Sequence, residues 1–307
     1  MTGNSSDPAT GPAPGPVSSG LTSAASEASG ARREDGAERA PGPARAERAQ
    51  RGRAPALLGL LGLAGFGAAL ELAPRIGLLP RAYFPTTGTI LGALRDQVRR
   101  SDFWTALLDT LQTWATGLLI ALTAGFLFGV VIGSLPLLRQ ATASTIEFLR
   151  PIPSVALIPL AIVLLGTGMK ATLLLVVYAS FWQVLVQVLH GVADVDPIAR
   201  ETAHSYRLGR WHRLRYLVWP TALPYAMTGV RLAASVALIL TVTGELVIGT
   251  PGLGQHIEQA RGSEAVPTAY ALVLVAGLIG VAANLATRAA ERRVLRWHTS
   301  VRGELAV

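Results

Sequence analysis

Glu201, His204 and His212 lie in the most polar stretch of an otherwise apolar region, Arg200 to Gly209 and on to Pro224, which carries five arginines and two histidines. The two histidines are eight positions apart and no carboxylate shares their face at ligand spacing, so no metal site is expected. No Ser-His-Asp set and no His-Glu-x-x-His motif occurs, which leaves no catalytic residues to assign. Lys170 is the single lysine and follows Met169, so no Gly-Lys-Ser/Thr phosphate loop exists and the chain cannot hydrolyse ATP as a P-loop enzyme. The chemistry that remains is recognition. Glu201 offers a charge to a partner. Gln183, Gln187, Glu245 and Asn284 are polar groups within or at the ends of apolar runs, where such groups line a pathway or seam, or equally serve as hydrogen-bond glue between helices. For Glu245 a solvated cap at a span's end is a further alternative.

A short helix must position Glu201. Asp196 is a good N-cap and Pro197 suits the first helical position. Ala199, Thr202, Ala203 and Tyr206 then fall at i, i+3, i+4 and i+7, a narrow face of mostly small side chains. Leu208-Gly209 breaks the run. Trp211, Leu214 and Val218 begin a second stripe, which Pro220 and Pro224 close. A short exposed helix with a small-residue face is shaped to lie in a groove on another protein. The plainer alternative is a basic loop held by anionic lipid.

Composition sets the class. Half of the 307 residues are hydrophobic and 15% are charged, with the apolar residues in blocks, which predicts an all-α integral membrane protein. There is no cysteine, so disulfide, thiolate-metal and cysteine-nucleophile chemistry are excluded. The net charge of +8 comes almost wholly from arginines at the ends of apolar runs. That is a membrane-topology pattern, and no nucleic-acid partner is expected.

Residues 1–53 are rich in Gly, Ala, Pro, Ser, Arg and Glu, with one large aliphatic residue, Leu21; they are expected to form a disordered basic tail. The transmembrane domain is expected over 54–298, with the polar loop at 191–224 and a C-terminal tail at 299–307. About six spans are predicted. The first is Ala54 to Ala73, long enough to cross ~30 Å of hydrocarbon. An outer segment comes next, in which Ile90, Leu91, Leu94 and Val98 make the apolar face of an interfacial helix. Phe103 to Leu135 is the second span, and its Gly125, Gly129 and Gly133 recur every four residues, which lets another helix approach closely. Pro151, Pro153 and Pro159 imply an irregular entry to the third span, tolerable in a bilayer only where protein covers the freed backbone groups. The fourth span runs Ala171 to Leu189. The fifth has its core at Arg231 to Val247, residues 255–267 form an outer loop, and the sixth runs Thr268 to Thr287. With both termini cytoplasmic, twenty of the 27 basic residues lie inside and seven outside; the reversed orientation inverts that ratio.

The polar stretch resembles the EAA loop of ABC-importer permeases. Glu201-Thr202-Ala203 matches its start, and Pro220 and Pro224 match its end. By spacing the family's Gly falls at Arg207, whereas this chain has Gly209 two residues later. Leu149-Arg150-Pro151-Ile152-Pro153 and Gly252-Leu253-Gly254 resemble two further signatures of the family. The likeness covers roughly Phe103 to Trp297 and is nearest to the nitrate/sulfonate/taurine branch. The resemblance implies a type I importer permease in the cell membrane, a non-catalytic subunit. Its partners would be an ABC ATPase pair, an extracytoplasmic solute-binding protein, a second copy of the permease and membrane lipid. No cofactor is expected in this chain, ATP and Mg belonging to the ATPase. The resemblance further implies that Glu201, Thr202, Ala203, Tyr206, Gly209, Pro220 and Pro224 form the ATPase contact, with Ala203 where larger side chains cannot fit. The solute would be a small anion such as nitrate, sulfonate, taurine or bicarbonate, moved by alternating access. The alternatives are the membrane subunit of an energy-coupling-factor transporter, for which Ala260-Arg261-Gly262 is the pertinent triplet, and a secondary transporter without an ATPase.

Overall fold

The computed structural model describes residues 83–296 without a break and scattered positions between 58 and 80. The tail expected over 1–53, most of the first span expected over 54–73, and the segment 299–307 lie outside the described residues. The chain divides into two units, 1–61 and 62–307. Of the first, Leu58, Gly59 and Leu61 are described, and they are helical. All other described residues belong to the second.

Among the described residues all regular structure is helical: α1 (Thr87–Val98), α2 (Ser101–Ser134), α3 (Pro136–Leu149), a 3-10 turn (Ser154–Leu157), α4 (Ile158–Leu165), α5 (Met169–Ala193), α6 (Pro197–Ser205), α7 (Arg210–Arg213), a π turn (Leu214–Val218), α8 (Trp219–Ile248), α9 (Leu253–Gly262) and α10 (Val266–Val294). Four runs are long and apolar enough to cross a membrane: α2, α5, the continuous rod Arg210–Ile248, and α10. The pair Pro136–Leu149 and Ser154–Leu165, bent by 81°, meets the same length and hydropathy test only when its two helices are taken together.

The glycines of α2 decide how the centre packs. An added Cβ on Gly125 would lie 2.7 Å from Val184 Cβ, one on Gly129 2.7 Å from Val188 Cγ1, and one on Gly133 3.0 Å from Val192 Cβ. Gly117 meets Val176 in the same way. Each valine lies 59 residues after its glycine, so α2 and α5 run parallel with one helix's valines seated in the other's gaps. We expect Gly129→Ala to wedge the pair apart at a cost of about 1–3 kcal/mol. A thermal melt in detergent checks this, and Val188→Ala in the same chain should recover much of the loss.

Parallel neighbours require the chain to cross back between them. The return is made by α3 and the 81° bend into the 3-10 turn and α4. Pro151 and Pro153 cannot donate hydrogen bonds, so the α3 helix ends at Leu149. The Leu149 carbonyl there accepts from Ile152 N at 3.2 Å and from Tyr178 Oη of α5 at 2.7 Å. This freed carbonyl is thus satisfied within the protein, as an apolar surrounding demands.

The Arg210–Ile248 rod corrects one expectation. Pro220 and Pro224 do not close the polar segment; they lie within the rod, Pro220 in the first turn of α8 and Pro224 in its interior. The π turn immediately before α8 widens the helix by a residue just where these prolines release carbonyl partners, so the run continues without ending. The outer loop expected over 255–267 is also corrected. Leu253, Ile257 and Ala260, at i, i+4 and i+7, are buried on one face of α9, and Leu253 and Ile257 pack with Phe103, Ala106 and Leu272. Burying that face stabilises a helix where polarity alone suggested a loop. On α1 the half-buried face is Ile90, Ala93, Leu94 and Gln97, turned slightly from the expected one, while Leu91 and Val98 remain exposed. The larger core cluster joins α2, α4, α5 and α8, with Trp114 Nε1 of α2 donating to the Ala234 carbonyl of α8 at 2.9 Å.

Candidate functional site

The residues singled out in the polar stretch form a short helix fastened at both ends. Asp196 caps α6, its side chain accepting from Ile198 N at 2.8 Å, and Pro197 takes the first turn. At the other end Arg207 N donates to the His204 carbonyl (2.9 Å) and Leu208 N to the Ala203 carbonyl (3.0 Å). These two bonds form the Schellman closure, which needs a left-handed residue between them. That residue is Arg207, at φ 51°, whereas Gly209 sits at φ −58°, which any residue can adopt. The break expected at Leu208-Gly209 is therefore made at Arg207, two residues before the glycine.

An L side chain held left-handed costs about 1 kcal/mol or more. Arg207→Gly should remove much of that strain and tighten the turn, slowing amide exchange at Leu208 about fivefold for each 1 kcal/mol recovered. Arg207→Val should do the reverse, since a β-branched residue tolerates that region least.

The small-residue face of α6 turns inward in part. Ala203 is buried and Ala199 half-buried within the chain itself, so their small size is demanded by their own subunit. Thr202 is exposed, with its hydroxyl donating to the Ile198 carbonyl at 2.8 Å. The outward surface is Ile198 (73% exposed), Glu201, His204 and Tyr206 (80% exposed). Glu201 takes part in no ion pair or side-chain hydrogen bond among the described residues.

Glu245 lies near the C-terminal end of the Arg210–Ile248 rod and is fully buried. Its Oε2 accepts from Thr110 Oγ at 3.0 Å and from Gly254 N at 2.8 Å. Thr110 Oγ in turn accepts from Leu253 N at 2.8 Å. The carboxyl group thus joins α2, α8 and the Gly249–Gly254 turn, and its Oε1 has no hydrogen-bond partner among the described residues. A Cβ on Gly252, which stands at φ 151°, would overlap the Glu245 carboxyl atoms, and one on Gly254 would come within 2.5 Å of the Val242 carbonyl. The carboxyl group leaves no room for a side chain at 252, and the backbone of α8 leaves none at 254. A solvated cap at a span's end does not describe Glu245. The spacing of Glu245 revealed neither Thr110 nor Gly252 as its neighbour. The Gly-Thr-Pro-Gly-Leu-Gly run marks a turn, but nothing local ties that turn to a threonine 135 residues from Glu245.

Gln183 and Gln187 are half-buried on α5 and flank Gly229 of α8, whose added Cβ would lie 3.1 Å from Gln187 Cβ and 3.4 Å from the Gln183 carbonyl. Asn284 is half-buried on α10, its carbonyl accepting from Thr287 Oγ at 3.0 Å. No hydrogen bond joins Gln183, Gln187, Asn284 and Glu245 to one another among the described residues.

Residues 103–296 match the family described as binding-protein-dependent transport system inner membrane component. The chain belongs to this family of ABC-importer permeases. The match begins at the buried Phe103 and spans α2 to α10, so it takes in both the capped helix and the Glu245 junction. The permease is 32% identical over 190 residues to the taurine transport system permease protein TauC of Escherichia coli, covering 61% of this chain and 69% of that one. It is 27% identical over 234 residues to the bicarbonate transport system permease protein CmpB of Synechocystis, covering 74% and 83%. In fold it is similar to a chain of the inward-facing MetNI methionine ABC transporter, with a TM-score of 0.52 at 19% identity over 61% of this permease and 93% of that chain.

Proposed function

We propose that this permease acts as a homodimer carrying a pair of ABC ATPase subunits, which grip α6 and supply all the chemical energy. The α6 helix is capped at Asp196, closed at Arg207 and rooted through Ala203, while Glu201, His204 and Tyr206 face outward. This combination of a fixed base and a free polar surface carries the proposal: a helix that transmits force must not fray when pulled. ATP and Mg would be held by the ATPase, and the permease itself would be non-catalytic. Closure of the ATPase pair would draw the two α6 helices together and rock the half-channels outward, and hydrolysis would return them.

An extracytoplasmic solute-binding protein would deliver the solute. The relatives named for taurine and bicarbonate support a small anion, in the class of sulfonates, nitrate and bicarbonate. The corresponding orientation has both termini and α6 in the cytoplasm. In this arrangement Ala260-Arg261-Gly262, the triplet relevant to an energy-coupling-factor subunit, lies at the end of the Arg210–Ile248 rod away from α6, and Arg261 is paired there with Glu258.

Because the chain has no cysteine, Ser205→Cys introduces a single reporter. A membrane-impermeant maleimide should label it in inverted vesicles and leave it unlabelled in intact cells. Labelling from the outside of intact cells would put α6 beyond an ATPase's reach and overturn the proposal.

A further inference from the structure

Beside the root of α6, a cavity of about 320 Å³ opens between the ends of α2 and α5 and the start of the Arg210–Ile248 rod. Arg200, Arg210 and Arg213 line it, against an apolar wall that includes Leu135, Val192 and Leu217. No carboxylate lines the cavity, and none of the three arginines is in an ion pair among the described residues. Arg200 donates to the Val192 carbonyl at 3.3 Å, which holds its guanidinium over the wall with further donors unused. Three like charges around one partly enclosed space repel unless an anion joins them, and the planar fork of arginine suits a phosphate.

The cavity does not stand alone. Leu214 is shared with an adjoining open groove lined by Val130, Trp211, Arg215 and Trp219. A basic recess that continues into a groove apolar but for Arg215 has the polarity of a phospholipid, and tryptophans are favoured where chains meet the headgroup level.

We propose that this recess and groove form a binding site for one anionic phospholipid, with its phosphate among Arg200, Arg210 and Arg213 and an acyl chain along Val130, Leu214 and Trp219. The lipid neutralises the arginines and ties the base of α6 to the bilayer. Such a site needs the chain to lie in a membrane and needs nothing of its ATPase.

The full-length permease, purified and delipidated in detergent, is titrated with dioleoylphosphatidylglycerol or dioleoylphosphatidylcholine and read by native mass spectrometry. One phosphatidylglycerol should be retained in preference to phosphatidylcholine. Replacing all three arginines by glutamine should weaken that retention on the order of 100-fold. Should that triple variant fail to fold, Leu217→Trp decides: it keeps every charge but fills the recess, and should also release the lipid. Equal retention of the two lipids overturns the proposal, as does undiminished retention in the folded triple variant or in Leu217→Trp. Displacement of phosphatidylglycerol by millimolar inorganic phosphate would make this a free-phosphate site. Loss of a co-purifying ATPase from the triple variant with lipid retention intact would make it a contact for acidic protein side chains. Either result overturns the lipid assignment.

Discussion

Ala203→Asp and Glu201→Lys are both expected to abolish solute uptake, and to do so by different routes. Ala203 is 6% exposed and packs inside its own subunit. A carboxylate seated there must give up water, and a charge buried without a partner costs about 3–5 kcal/mol; Arg200 and Arg207, three and four positions away, can pair with it only if it turns out of its seat. The cheaper response is for α6 to leave its seat, which breaks the helix base and the turn at Arg207. We expect the variant to insert in the membrane, to show faster amide exchange across 197–208, and to bring down no ATPase. Glu201 is exposed, so its reversal leaves the helix intact. Exchange across 197–208 should match the unsubstituted protein, while a lost charged contact of about 2–5 kcal/mol should cut ATPase recovery by at least about 30-fold. Normal ATPase recovery with Glu201→Lys would show that the coupling surface lies elsewhere. Unchanged exchange in Ala203→Asp would show that α6 is not rooted through that residue.

Gly252→Ala is expected to be strongly destabilising. The added carbon falls on the carboxyl group of Glu245, which cannot retreat because Thr110 Oγ and Gly254 N hold Oε2. The backbone at φ 151° adds strain of its own for an L side chain. Overpacking of about 1–3 kcal/mol and backbone strain of about 1–3 kcal/mol act at one position. A large fall in the melting temperature in detergent, with reduced membrane levels, is the expected result. Removing the obstruction should help: Gly252→Ala combined with Glu245→Ala should melt above Gly252→Ala alone, despite losing the hydrogen bonds. A Gly252→Ala protein that melts like the parent would mean that the carboxyl group does not fill that space.

The Glu245 junction and α6 differ in how far sequence could reveal them. Asp196-Pro197, the small residues after it and the exposed polar positions are features of nine or ten consecutive residues. A helix obeys a 3.6-residue period and capping rules wherever it stands, so α6 could be read from its own residues. The spans were legible for the same reason, since burial of backbone in hydrocarbon demands long apolar helices. The α2 glycine spacing announced a close approach, but nothing in it named the valines of α5 as the other side.

Most of what remained hidden depended on residues distant in the chain. Two prolines read locally as an ending, yet a π turn and packing against α5 carry the helix through them. Glycine at 209 drew the bend by its type, while the hydrogen bonds of the closed turn put the left-handed residue at Arg207. Residues 255–267 were polar enough for a loop until Phe103, Ala106 and Leu272 supplied a surface to bury one face. Thr110 and Glu245 meet because α2 and α8 pack side by side, a juxtaposition across 135 positions with no local signature. Sequence alone therefore determined this protein's class, its long apolar helices among the described residues and its exposed helix, because hydropathy and helical period are properties of neighbouring residues. Tertiary structure decided which groups became partners, because a buried donor or a missing methyl has meaning only against the atoms that packing brings to it.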